Sequence, residues 1–195
     1  PQAGPLPATE GALEAYLASR RFLFISSQDY LYDRGLTPFM HSYLGVGSYS
    51  NDVGQNTVAG TGTVFQTLGI HSLSYPFTNY SDRISPDSTA EVSFGGNWGD
   101  AAVNKGTSVY RTTFWGFPFE ALPATARSEA MSTALYWLGY GCKYVSSNGD
   151  GNIEVFAADL ADPANPSLKH VTASRGSILG GFNLWPSISA DGSRI

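Results

Sequence analysis

The sequence predicts an α/β layered domain followed by a smaller strand-rich piece, and three observations carry that reading. An apolar run within Arg21-Phe-Leu-Phe-Ile-Ser-Ser-Gln-Asp29 leads into a capped helical pattern at Thr37-Pro-Phe-Met-His-Ser-Tyr-Leu44. A second β-prone run, Thr107 to Phe117, leads into a helical pattern from Ala124 to Leu138. Strand followed by amphipathic helix is how a layered α/β domain is written. Beyond Gly141 the chemistry changes to short β-prone words separated by Gly, Asn and Pro.

Residues 1–8, opening Pro1-Gln-Ala-Gly-Pro-Leu-Pro7, read as a linker with no basic n-region of a signal peptide. Thr9 can cap a first helix, Glu10 suits the positive end of its dipole, and Leu13, Tyr16 and Leu17 supply an apolar face. Phe22 to Ile25 is a continuous apolar run, expected of an interior strand covered on both faces in a parallel sheet. Thr37 is placed as N-cap of the next helix, with Pro38 at its first position. From about 48 to 106, Gly, Asn, Ser and Thr dominate. Short β-prone pieces at Thr57-Val58, Thr63-Val-Phe65, Ile70 to Tyr75 and Ala90 to Phe94 read there as an elaborated insert of hairpins and ordered loops. Asn104-Lys105-Gly106 predicts a turn into a strand from Thr107 to Trp115. The last helix carries its stripe at Ala130, Met131, Ala134, Leu135 and Leu138, and Gly139 ends it. Asn152 to Ala157 and Leu168 to Thr172 read as strands, and Asp191-Gly192 as a hairpin turn. The chain ends at Ser193-Arg194-Ile195, in what reads as the start of a strand, so a piece of a longer protein is expected.

Composition narrows the function classes. Of 195 residues 14% are charged, with 22 Gly, 11 Tyr and 11 Phe, which suits an extracellular or cell-surface bacterial protein with long ordered loops. A net charge of -5 with scattered basic residues argues against nucleic acid, whose phosphates need clustered Lys and Arg. No stretch approaches a membrane span. Cys142 is the only cysteine, so no disulfide forms within the chain, and no role for it is read from the sequence.

Ser26, Ser27, Gln28 and Asp29 fall at the carboxyl end of the first strand, the edge where open α/β sheets bind ligands. Ser26 or Ser27 with His41 and Asp29 would make a serine-hydrolase set; the commoner arrangement is that such side chains bond loop backbone. His41, His71 and His170 are too widely spread to predict a metal site, and no cofactor is expected. Asn148-Gly-Asp-Gly-Asn152 lacks the bidentate Glu of a calcium loop and reads as a turn. Trp98, Tyr110, Phe114, Trp115, Phe117 and Phe119 could form a stacking platform, with Gln28, Trp98 and Trp115 as ligand-binding candidates. Phe114 and Trp115 face opposite ways along a strand, so at least one belongs to a core.

Two family resemblances follow from particular words. Tyr16-Leu-Ala-Ser-Arg-Arg-Phe-Leu-Phe-Ile-Ser-Ser-Gln-Asp29, Phe39-Met-His-Ser-Tyr-Leu44 and Phe114-Trp-Gly-Phe-Pro-Phe-Glu120 resemble the C-terminal half of a class I glutamine-amidotransferase-like (flavodoxin-like) domain of secreted bacterial proteins, such as immune-inhibitor-A-type peptidases. Asn152-Ile-Glu-Val-Phe156 and Pro186-Ser-Ile-Ser-Ala-Asp-Gly-Ser-Arg-Ile195 resemble part of a TolB-type β-propeller repeat. The resemblances imply a three-layer sandwich with a mostly parallel sheet over residues 9–140, then β-hairpins of a partial propeller unit over 148–195. They also imply that the fold's first strands lie upstream of Pro1. The cysteine nucleophile and later histidine of the catalytic members are missing, since the first strand ends in Ser26-Ser27-Gln28-Asp29 and the late one in Gly116-Phe117-Pro118. The expectation is therefore a non-catalytic accessory module attached to other domains of a longer parent, which would include a peptidase. Its surface partner would be a carbohydrate or a protein.

Overall fold

The structure is a computed structural model that describes residues 4–139, 156–159 and 167–170. The chain divides into two units, Pro1–Tyr140 and Gly141–Ile195.

The first unit is built on one mixed sheet. Helix α1 (Pro7–Ala18) leads to β1 (Phe22–Ser26), then α2 (Tyr30–Arg34) and a π-helical turn, Met40–Leu44. Strands β2 (Val46–Ser50), β3 (Thr57–Gly60), β4 (Ile70–Ser72), β5 (Arg83–Pro86), β6 (Ala90–Gly96), β7 (Gly99–Gly106) and β8 (Arg111–Trp115) follow, with the single helical turn α3 (Gly62–Phe65) after β3. Helix α4 (Ala124–Trp137) comes last. Six strands form one sheet in the order β1-β8-β7-β6-β3-β4, and β2 pairs with β5 in a separate ribbon.

This order overturns the mostly parallel three-layer sandwich, and with it the amidotransferase-like architecture. Only β1 and β8 run parallel; β8-β7, β7-β6, β6-β3 and β3-β4 are all antiparallel. The reason lies in the connections. β6 turns into β7 at Asn97-Trp98, with Gly96 opposite Gly99. β7 turns into β8 at Thr107–Tyr110, where the Thr107 hydroxyl accepts the Val109 and Tyr110 N–H groups at 3.1 and 3.0 Å. Links this short join antiparallel neighbours, whereas a parallel pair needs a long crossover. The stretch expected to be an insert thus supplies most of the sheet. The expected turn at Asn104-Lys105-Gly106 lies within β7, and Thr63-Val-Phe65 is helical.

β1 differs from expectation in a second way. Its apolar run does pack on both faces, Phe24 against one core and Leu23 and Ile25 against the other. Yet it stands at the end of the sheet rather than inside it, among the described residues. Coverage of a strand's faces and pairing of its edges are independent, and the sequence pattern reports only the faces.

Strand β8 shows how one alternating segment serves two cores. Trp115 and Phe114 are both fully buried, on opposite faces. On the first face Trp115 packs edge-on to Phe94 and Phe24, ring centroids 4.9 and 4.8 Å apart. Ala126, Ala130 and Ala134 of α4 close over this face, one small residue per turn. Leu135, expected in the buried stripe, is exposed. On the second face Phe114 and Val103 meet Leu17, Tyr30, Leu31, Met40, Leu44, Val46 and Ile84. Capping behaves locally as expected at Thr37, whose hydroxyl accepts the Met40 N–H at 3.2 Å. Gly139, at φ +85, follows α4.

Helix α1 begins at Pro7, so Thr9 lies inside it rather than capping it. Glu10 turns inward: its carboxylate accepts the Tyr30 hydroxyl at 2.7 Å and the Thr37 hydroxyl at 3.1 Å, with the Arg34 Nε at 4.0 Å.

Of the second unit, β9 (Phe156–Asp159) and β10 (Ser167–His170) are described, as one antiparallel pair. The readings placed on Cys142, Asn148 to Asn152, the Asp191-Gly192 turn and the propeller-like words at 186–195 lie outside the described residues.

Candidate functional site

An open cleft of about 810 Å³ lies at the carboxyl end of the parallel pair, where β1 and β8 both finish. Three segments line it: Ser26 to Asp29 with Tyr32 and Asp33, the loop residues Phe77, Thr78 and Tyr80, and Pro118 with Glu120. Ends of adjacent parallel strands leave such a crevice because their chains depart in different directions.

The first strand contributes position more than chemistry. The Ser26 hydroxyl donates to the Phe117 carbonyl at 2.8 Å and accepts the Phe119 N–H at 2.7 Å. It therefore stitches the end of β1 to the segment after β8, and its proton and a lone pair are both committed. The Ser27 hydroxyl accepts the Asp29 N–H at 3.3 Å, while its own N–H donates to the Trp115 carbonyl. Gln28 is buried, and its amide grips the opposite wall: Nε2 donates to the Thr78 carbonyl at 3.0 Å and Oε1 accepts the Tyr80 N–H at 3.1 Å. Gln28 thus ties the end of β1 to the Thr78–Tyr80 wall.

His41 is not among the cleft residues. Its π-helical turn is fastened to the other end of β8, where Tyr110 Oη donates to the Ser42 carbonyl and Thr112 Oγ1 to the Tyr43 carbonyl. Thr112 and Trp115 are separated by about 10 Å of strand, and Ser26 sits opposite Trp115. The serines and Asp29 come together in the cleft; His41 does not join them.

Trp115 lies in the core, its indole N–H donated to Thr113 Oγ1 at 2.8 Å. Trp98 is well exposed, but it belongs to the β6–β7 turn and not to the cleft. The rings that do present themselves are Tyr32, Phe77 and Tyr80, at 66%, 48% and 46% exposure. Sequence reasoning missed all three. A Pro-Phe-Thr-Asn-Tyr word at 76–80, aromatic in a stretch otherwise dominated by turn formers, was the available signal.

The cleft wall is held by a buried polar network. Gln55 is fully buried; its N–H donates to Ser81 Oγ at 2.7 Å and its carbonyl accepts Tyr75 Oη at 2.7 Å and Asn79 Nδ2 at 3.1 Å. Ser81 Oγ donates to Asn79 Oδ1 at 2.6 Å. Burial pushes the Tyr75 hydroxyl above its ordinary range, although its bond to Ser81 works the other way. Asp82 closes the network, and burial pushes its carboxyl up to about 8.

The acidic groups at the cleft are Asp29, Asp33 and Glu120, and no Lys, Arg or His lines it among the described residues. Nor, among those residues, do three or more His, Cys, Asp or Glu side chains gather as a metal site. No described helix is long and apolar enough to cross a membrane.

No family model matches the chain, and no curated protein matches it. Among solved structures it is similar to the β-galactosidase from Bacillus circulans sp. alkalophilus, with a TM-score of 0.49 and 11% identity. The match covers 69% of this chain, which spans 21% of that one. The mostly antiparallel sheet corrects the amidotransferase-like resemblance, and no family model supports either that one or the propeller repeat.

Proposed function

We propose that the first unit is a non-catalytic binding module, an accessory part of a secreted or cell-surface bacterial protein, and that its cleft takes a carbohydrate. The observation that carries the reading is the Ser26 hydroxyl, held at both donor and acceptor by backbone of the segment after β8. A nucleophile needs its proton within reach of a base, and His41 is fastened at the far end of the same strand. What the cleft does offer is recognition: three exposed rings for stacking and the carboxylates of Asp29 and Glu120 for hydroxyl groups. A polyol with apolar ring faces uses both. The low share of charged residues supports the extracellular setting, and attachment to a peptidase-bearing parent belongs to the same proposal.

Turnover assays test this directly. Wild type, Ser26→Ala, Ser27→Ala and His41→Ala should show the same background rate on ester and glycoside substrates. A rate that falls on replacing Ser27 and His41 alike would establish a hydrolase instead.

A further inference from the structure

Phe77, Thr78 and Tyr80 line one wall of the cleft, and the carboxyl of Asp82, two residues beyond Tyr80, is buried behind that wall in an unusual setting. Asp82 is fully buried. Its Oδ1 accepts the Asp52 N–H at 3.1 Å, while Oδ2 has no hydrogen-bond partner among the described residues. Its main chain ties the wall to the sheet: the N–H donates to the Gly116 carbonyl at 2.7 Å, and the carbonyl accepts Gln55 Nε2 at 3.4 Å. A Cβ at Gly116 would meet the Asp82 Cβ at 3.2 Å, so the bare glycine permits this seating.

The charges that act on the carboxyl are those of Asp52, from the loop before β3, and Asp29, from the end of β1. Arg83, next in the chain, sends its guanidinium to Ser50 Oγ at 2.9 Å. The Tyr75 hydroxyl, the network's other titratable group, is spent on the Gln55 carbonyl and Ser81. An ionised Asp82 would be a buried charge with a half-made set of hydrogen bonds, facing two like charges.

We propose that Asp82 is a proton-operated latch on the cleft wall: protonated, it lets residues 78–82 seat against the end of β8, and opening of the wall releases that proton to water. The step balances as one proton lost from the carboxyl for each wall that opens. Burial first, and then Asp52 and Asp29, raise the carboxyl to about 8 in the closed wall, against the opposing pull of the Asp52 N–H. In the open wall the solvated carboxyl returns to the ordinary range, about 4. Between those values the closed form keeps a proton that the open form has lost. Opening then becomes about tenfold more favourable for each unit of pH rise, and levels off outside that window. Acid closes the cleft wall and neutral pH loosens it. Only the consequence for ligand affinity rests on the binding reading above; the latch does not.

Amide hydrogen exchange on the whole chain tests it without a ligand. After correction for the chemical exchange rate, opening at the Asp52, Gln55 and Asp82 amides should rise about a hundredfold from pH 5 to pH 7. Amides of the β6–β7 ladder should change less, and Asp82→Asn should abolish the rise. A carbon-detected titration of the wild-type Asp82 carboxyl gives an independent reading if Asp82→Asn fails to fold, with a midpoint expected near 8. A midpoint near 4 would overturn the latch, as would equal changes at wall and ladder, or a pH response that survives in Asp82→Asn. A latch that behaves as described in a protein that binds no carbohydrate would refute the binding reading alone.

Discussion

Two buried carboxyls divide this unit into a settled side and a poised one. Glu10, beneath α1, meets the Tyr30 and Thr37 hydroxyls and has Arg34 nearby. Asp82, at the cleft wall, has one N–H for one oxygen and nothing for the other among the described residues. Both are nearly or wholly removed from water. The difference lies in partners, and partners decide whether a buried acid acts as a clasp or as a proton-binding group. Beside Glu10, burial and then the bond and charge of that carboxylate drive the Tyr30 hydroxyl well above its ordinary range. Asp82 takes up the proton itself.

The largest expected effect breaks the settled side. Glu10→Ala leaves the Tyr30 and Thr37 hydroxyls without their acceptor and should lower stability by about 3 kcal/mol, read by urea denaturation. Glu10→Gln keeps an acceptor and should lose roughly half of that.

The second effect is a slope. The folded carboxyl of Asp82, at about 8, lies above its unfolded value. Its contribution is therefore fully present below about pH 4 and is lost as pH rises toward 8, at up to about 1.4 kcal/mol per pH unit. Thermal melts of wild type against Asp82→Asn from pH 5 to 8 isolate that slope. Asp87 supplies the opposite sign. It is partly desolvated, yet the Thr89 hydroxyl and N–H, and then Lys105 at 3.3 Å, hold it below the ordinary range. Its contribution is present above about pH 4 and fades as pH falls further. Asp87→Asn should flatten the acid limb of the melting curve.

The smallest effect sharpens the comparison locally. Gln28→Ala removes both bonds to the wall at Thr78 and Tyr80 and should destabilise the fold by about 1 kcal/mol. Exchange at the Tyr80 amide should rise far more than at the β6–β7 ladder.

What the sequence made legible follows the same division between local and distant. Thr37, Pro38 and Gly139 are local signals, and the chain uses them where they stand. The apolar run at Phe22 to Ile25 correctly reports two covered faces, but a run of Phe, Leu and Ile carries no information about which edges pair. Strand order was illegible because the deciding turns lack the usual marks. Asn97-Trp98 is not an Asn-Gly pair, and the Thr107 turn depends on a side-chain hydroxyl rather than a glycine. Ala90 to Phe94 reads as a β-prone piece, but nothing in those residues names β3 and β7 as its partners in the main sheet rather than a hairpin of an insert. The serines, Gln28 and Asp29 were placed correctly at the strand's carboxyl end. The bonds from Ser26 to Phe117 and from Gln28 to Thr78, 91 and 50 residues away in the chain, have no sequence signature.

The most direct test of the binding reading is a titration of the isotope-labelled protein with neutral oligosaccharides, followed at the ring signals of Tyr32, Phe77 and Tyr80. The account predicts saturable shifts confined to those rings and to the Asp29 and Glu120 backbone, weakened about tenfold in Phe77→Ala and retained in Ser26→Ala, with the sugar recovered intact. Shifts centred on Trp98 or elsewhere, no shifts with any sugar, or hydrolysis that disappears in Ser27→Ala would contradict it.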